Sequence, residues 1–126
     1  MTLIETITTR TATISLRSDG LLHFSYFPNV RETLDDAREN VAASLRLSPG
    51  KRRPLLVDIR SMQGVEREVR AYYSSVQSIS ARALLVASPM SRVIANFVIH
   101  LNQPLVPTRL FTSEEAAVAW LKGFVE

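Results

Sequence analysis

The chain has 126 residues, no cysteine and a formal net charge of +3, and 46% of its residues are hydrophobic. That length and apolar content suffice for one domain with its own core, and the missing cysteines exclude a disulfide framework, a thiolate metal site and a cysteine nucleophile. The basic residues are scattered from Arg10 to Arg109, and only Lys51, Arg52 and Arg53 are adjacent. Without a basic face or arm, no nucleic-acid partner is expected.

Met1 to Thr11 carries Glu5 and several threonines in place of a basic flank and an apolar core, and no apolar run has the length of a membrane span. A soluble, cytoplasmic protein with no membrane partner is expected, its residues 1–11 forming an extended or flexible segment. Ala12, Ile14 and Leu16 alternate with polar residues, Asp19-Gly20 tolerates positive φ, and Leu22, Phe24 and Tyr26 resume the alternation, which predicts a β-hairpin. The period then becomes helical through Val30, Leu34, Ala37, Val41 and Leu45, with Asn29 and Glu32 at capping-box spacing and Ser48-Pro49-Gly50 as the stop. Pro54 to Arg60 predicts a buried strand. A second helix follows, with the inward stripe Val65, Val69, Tyr72, Val76 and Ile79, and Glu66 and Arg70 are spaced as an i,i+4 ion pair.

Arg82 to Ala87 predicts the next buried strand, and Ser88-Pro89 the cap and first residue of a third helix running to about Asn102. Its core stripe is expected to be Met90, Val93, Ile94, Phe97 and Leu101, with Val98 at the edge and Ala95 and Ile99 on the opposite side. Thr108 to Phe111 makes a short last strand. Thr112 with Glu115 has capping-box spacing before a helix anchored by Ala116, Trp120, Leu121 and Phe124. The order ββαβαβαβα predicts a single α/β domain over residues 1–126. Its sheet is mixed, of about five strands, an N-terminal hairpin followed by parallel strands, with four helices.

This order, together with Pro54-Leu-Leu-Val-Asp-Ile-Arg60 and Ser88-Pro-Met-Ser-Arg-Val-Ile-Ala-Asn-Phe97, resembles the STAS-like superfamily with its SpoIIAA-like fold, and within it a branch of small uncharacterised bacterial proteins. The resemblance covers about residues 12 to 124. It implies a regulatory module that works by protein interaction. In regulatory members a serine in an Asp-Ser-Ser-Gly-like motif after the buried strand is phosphorylated. Here the segment is Asp58-Ile-Arg-Ser61-Met-Gln-Gly64, so Ser61 is the one phosphorylation candidate, and the neighbouring Asp and second Ser of the motif are missing.

Parallel strands would gather Arg60, Ser61, Ser88, Ser91, Arg92 and Thr112 at their carboxyl ends, where helix amino termini suit a small anion. The same serines and threonine also fit plain helix caps and turns. On the third helix, Ala95, Ile99, His100 and Asn102 form the candidate surface for a homodimer or a regulatory protein partner. His23 and His100 lie on different elements with no carboxylates at ligand spacing, so neither a metal nor another cofactor is expected. Two functions remain: a non-enzymatic, self-associating interaction or regulatory module, or a small-anion-binding protein or minor enzyme with its site at the strand ends.

Overall fold

The computed structural model describes residues 2–101 and 104–126. Its sheet has six strands in the spatial order β1 (Leu3–Thr8), β2 (Ala12–Arg17), β3 (Leu22–Tyr26), β4 (Arg53–Asp58), β5 (Ile79–Leu85) and β6 (Thr108–Phe111). The first three are antiparallel and each later strand is parallel to its predecessor, β3 to β4 included. Sequence order and spatial order coincide. The helices are α1 (Leu34–Leu47), α2 (Arg67–Ser74), α3 (Pro89–Asn96) and α4 (Glu114–Leu121), with a π-helical turn at Phe97–Leu101 and a 3-10 turn at Lys122–Phe124. Among the described residues no helix is long and apolar enough to cross a membrane.

The N-terminal segment supplies a strand beyond the five expected: β1 pairs with β2, Ile7 opposite Ile14, and Thr6 shares a 2.9 Å hydroxyl hydrogen bond with Ser15. Its alternation is weak because most of its residues are exposed at the sheet edge. At the β2–β3 turn Gly20 has φ +89°, as Asp19-Gly20 requires.

β4 and β5 are buried on both faces, which explains their uninterrupted apolar runs. Leu55 and Val57 of β4 and Leu84 of β5 point into the larger core layer under α1, α2 and α3. Leu56, Ala83 and Leu85 point the other way, onto Ala117 and Leu121 of α4. The strands are thus sandwiched, three helices on one side and one on the other.

Two caps differ from expectation. Thr33, not Asn29, caps α1: its Oγ1 accepts from the Asp36 backbone N–H at 3.2 Å, and Asp36 accepts in return from the Thr33 N–H at 2.9 Å. Asn29 sits earlier in a left-handed turn with φ +61°. The register is fixed because Asp36 also binds the Arg10 guanidinium, which holds its carboxyl well below the usual carboxylate range. On α4 the cap is Ser113, whose Oγ accepts from the Ala116 N–H at 3.2 Å, and Thr112 lies one residue outside.

The rotation of α3 also differs. Ser91, Ile94, Ala95 and Val98 face inward, while Met90, Val93 and Phe97 are exposed. The N-cap sets this phase, because the fully buried Ser91 Oγ accepts from the backbone N–H groups of Ala87 (3.1 Å) and Ser88 (3.0 Å) at the end of β5. With Ser91 turned inward, the next positions on that face are Ile94, Ala95 and Val98, whatever bulk lies on the other side. The side chain of Leu101 lies outside the described residues.

Replacing Leu56, fully buried between the sheet and α4, tests the two-sided burial. Leu56→Ala is expected to lower the urea-unfolding midpoint at unchanged m-value, by an amount equivalent to about 2–5 kcal/mol.

Candidate functional site

Three helices, two of them short, do not close completely over their side of the sheet. Between them lies a cavity of about 70 Å³, floored by Leu55 and Val57 of β4 and Leu84 of β5, and walled by Val41 and Ser44 of α1, Tyr73 of α2 and Ile94 of α3. The lining residues Val41, Met62, Val65, Arg70 and Val76 keep partial exposure, so the approach runs between α1 and the α2 region.

The lining is apolar except for a few groups, the least ordinary being Arg82. Strand alternation places it on the same face as Leu84 and Val86, opposite Leu55 of β4, where its residue exposure is 4%. Its Nη2 donates to the Tyr73 carbonyl at 2.7 Å, near the carboxyl end of α2. Its Nη1 is buried and has no hydrogen-bond partner among the described residues. Burial lowers its pKa to about 10, against weaker opposing effects of Tyr26 and Tyr73. Among the described residues two arginines, Arg82 and Arg70, line the cavity, and no Asp or Glu does.

Arg70 stacks on Phe97, its Cζ 4.8 Å from the ring centroid, and its Nε is buried without a partner among the described residues. The expected pair with Glu66 does not form, because Glu66 instead accepts from Arg31 at 2.6 Å across the gap between two segments.

Beside the cavity, fully buried Asn40 of α1 joins four chain segments. Its Oδ1 accepts from Thr9 Oγ1 at 2.6 Å, and its amide nitrogen lies 2.9 Å from Thr11 Oγ1, 3.2 Å from the Tyr73 hydroxyl and 3.3 Å from Glu32 Oε1. The Tyr73 hydroxyl donates to Glu32. Burial pushes the Glu32 carboxyl up from its ordinary value, against the pull of hydrogen bonds from Tyr73, Tyr26 and Asn40. Burial likewise raises the Tyr26 and Tyr73 phenols, so both are neutral donors.

The strand-end residues are placed at the carboxyl ends of the parallel strands, but the polar groups of Arg60, Ser88 and Ser91 serve local structure. Arg60 folds back on Asp58 with contacts of 3.0 and 2.7 Å. Ser88 and Ser91 cap each other's turn, with Ser88 Oγ receiving the Ser91 N–H at 3.0 Å. Ser61, Arg92 and Thr112 are exposed. Of the residues assigned to an outer helix surface, His100 is exposed, Ile99 is half-buried against the core, and Ala95 is fully buried and so excluded from that surface by the rotation of α3. Asn102 lies outside the described residues. Among the described residues no group of three His, Asp or Glu is placed to hold a metal ion.

Sequence reading missed Arg82 and the Asn40 cluster. The signal for Arg82 was present: an arginine two positions before Leu84 in a run buried on both faces must turn inward. Asn40 carried a fainter one, as a polar residue three positions after Ala37 on the inward stripe.

The family model of a domain of unknown function, DUF7793, matches residues 14–125. A crystal structure of a protein with unknown function from Arthrobacter sp. FB24 is 35% identical, with 86% of this chain and 96% of that chain covered and a TM-score of 0.36. A structure of a DUF3478 family protein with a SpoIIAA-like fold from Shewanella loihica PV-4 has a TM-score of 0.57 at 12% identity, covering 93% of this chain and 90% of that one. The fold is therefore SpoIIAA-like, as the resemblance implied. No curated protein matches the chain.

The raised Glu32 carboxyl sets a pH dependence of stability. The folded protein holds this proton more firmly than the unfolded chain, so the contribution is full below the ordinary value of 4.5 and is lost as pH rises through the folded value. Urea midpoints measured across that range are expected to fall more steeply with rising pH for the wild type than for Glu32→Gln, which keeps an acceptor for Tyr73 and cannot ionise.

Proposed function

The chain belongs to the DUF7793 family, and we propose that it is a non-enzymatic regulatory module whose cavity takes up a small, largely apolar molecule. The observation that carries this is the cavity itself: open toward α1 and α2, apolar over most of its wall, and furnished with a few convergent polar groups. Such a combination is the usual form of a small-molecule site. Its wall draws on α1, α2, α3 and the connection from β4 to α2, so a bound molecule would bear on the helix surface that faces partners. At the strand ends Arg60, Ser88 and Ser91 are engaged in an ion pair and caps, and Ser61, Arg92 and Thr112 are exposed to water, which favours the cavity over that edge as the binding place.

Ser44 offers a clean obstruction, since its hydroxyl donates only to the Val41 carbonyl of its own helix, at 2.7 Å. Ser44→Leu is expected to fold with a melting temperature at or above that of the wild type and to lose the thermal upshift that small apolar probes such as pentan-1-ol produce in the wild type. Equal upshifts in both proteins, or none in the wild type, would remove the proposal.

Self-association is a second reading, favoured by the exposed line Met90, Val93 and Phe97 on α3 and the π-turn, at 48%, 45% and 38% exposure. Residues three and four apart share a helix face, so the line is continuous. A symmetric dimer through it would be broken by Val93→Asp, and sedimentation equilibrium is expected to report a dimer for the wild type and a monomer for the variant.

A further inference from the structure

From the pairing of a buried, incompletely satisfied guanidinium with an acid-free apolar cavity, we infer that the ligand is a short aliphatic carboxylate whose head group binds Arg82 Nη1 and whose tail lies against Leu55, Val57 and Ile94. This deepens the cavity reading above and rests on it.

The argument begins with the cost of Arg82. A guanidinium is charged at any ordinary pH, and a buried charge is tolerated when an opposite charge and hydrogen bonds replace its lost water. The fold supplies one replacement, the Tyr73 carbonyl, which with the carboxyl end of α2 gives Nη2 an acceptor. Nothing described supplies Nη1. The carboxylate of Glu32 holds Tyr73 and Asn40 through Oε1 and leaves Oε2 without a partner among the described residues, but it does not line the cavity and has no part in the shift of Arg82. If helix capping were the sole task of this position, a neutral donor would serve without the charge.

The second cation points the same way. Arg70 lines the same cavity, and its Nε is also buried without a partner among the described residues. Two guanidinium groups and no acid give a field that accepts an anion and rejects an amine. Apart from Tyr26, Asn40, Ser44 and Tyr73 the rest of the wall is hydrocarbon, so the anion must carry an apolar part. At about 70 Å³ the closed space holds roughly two groups of water or methylene size, so only the carbons next to the head group are enclosed and the rest of a short tail lies along the open approach past Val41, Val65 and Val76. A charge-assisted hydrogen bond from Nη1 to a carboxylate oxygen would complete the shell of Arg82.

The test compares pentanoate, pentan-1-ol and pentylamine, which share a tail and differ in head group. Binding is followed by NMR titration of the cavity methyl groups and by thermal shift. Pentanoate is expected to bind the wild type at least tenfold more tightly than pentan-1-ol, with pentylamine weakest, and Ser44→Leu to abolish binding of all three. Arg82→Met is expected to retain the alcohol and lose the preference for the carboxylate. Equal affinity of wild type for pentanoate and pentan-1-ol would overturn the carboxylate assignment and leave the cavity reading standing. Failure of every probe to bind would overturn both. The wild-type comparison decides the matter even if Arg82→Met fails to fold, and carboxylate binding that survives Ser44→Leu would place the anion on surface arginines and reject the assignment.

Discussion

The structure depends on the burial of β4 and β5 from both sides. A strand whose consecutive residues Leu55, Leu56 and Val57 are all shielded from water cannot lie at a surface or an edge, so helices must cover both faces of the sheet around it. The cover is unequal. α4 meets its side with Ala117 and Leu121, in one cluster with Leu56, Ala81, Ala83 and Leu85. The opposite side is spanned by three helices, two of them only 8 residues long, and the gap among them is the cavity. Site and core are therefore one construction: the side chains that hold the sheet's larger layer together are also the cavity wall.

The polar cluster around Asn40 sets the shape of that gap. Thr9 and Thr11 lie at the β1–β2 turn, Glu32 before α1, and Tyr73 in α2; Asn40 engages all of them from the middle of α1. Buried hydrogen bonds of this kind add modest net stability when complete but are costly to leave half-made, so alternative placements of α1 are penalised. Apolar packing alone would let α1 slide along the sheet. The cluster fixes it against α2, and thereby fixes the width of the approach.

How far the sequence reveals this depends on which force decides each feature. Hydrophobic alternation and punctuation are local, so the hairpin at Asp19-Gly20, the buried strands and the four helices follow from residue patterns, while the SpoIIAA-like architecture is what the family resemblance implied. β1 was hidden because an edge strand with exposed residues on both faces carries no alternation, and its pairing with β2 is a tertiary fact. Bulk and inward position are not equivalent on α3: the buried Ser91 cap turns Ile94, Ala95 and Val98 inward and leaves Met90, Val93 and Phe97 outside. The cap of α1 was displaced from Asn29 to Thr33 by a distant partner, Arg10, which no local motif contains. The strand-end residues lie on one edge. Their hydrogen-bond commitments, which decide whether they are free for a ligand, could be known only from coordinates.

Those commitments also decide between the two places where an anion could bind. At the strand ends, Arg60 is half-exposed and already paired with Asp58. Water and salt screen any further anion there, and exposed ion pairs contribute only ~0–1 kcal/mol. Helix amino termini add little at this edge because Ser88 and Ser113 already accept from the first-turn N–H groups of Ser91 and Ala116, and Ser91 accepts from the N–H groups of Ala87 and Ser88 just before the helix. In the cavity the balance reverses. The desolvation of Arg82 has been met by the fold before any ligand arrives, so an incoming carboxylate gains attraction in a medium of low polarity and bears only its own dehydration. The stability already expended on burying a lone guanidinium is what makes the inner site the stronger one, and it gives the face of the sheet with the looser helical cover its chemical selectivity.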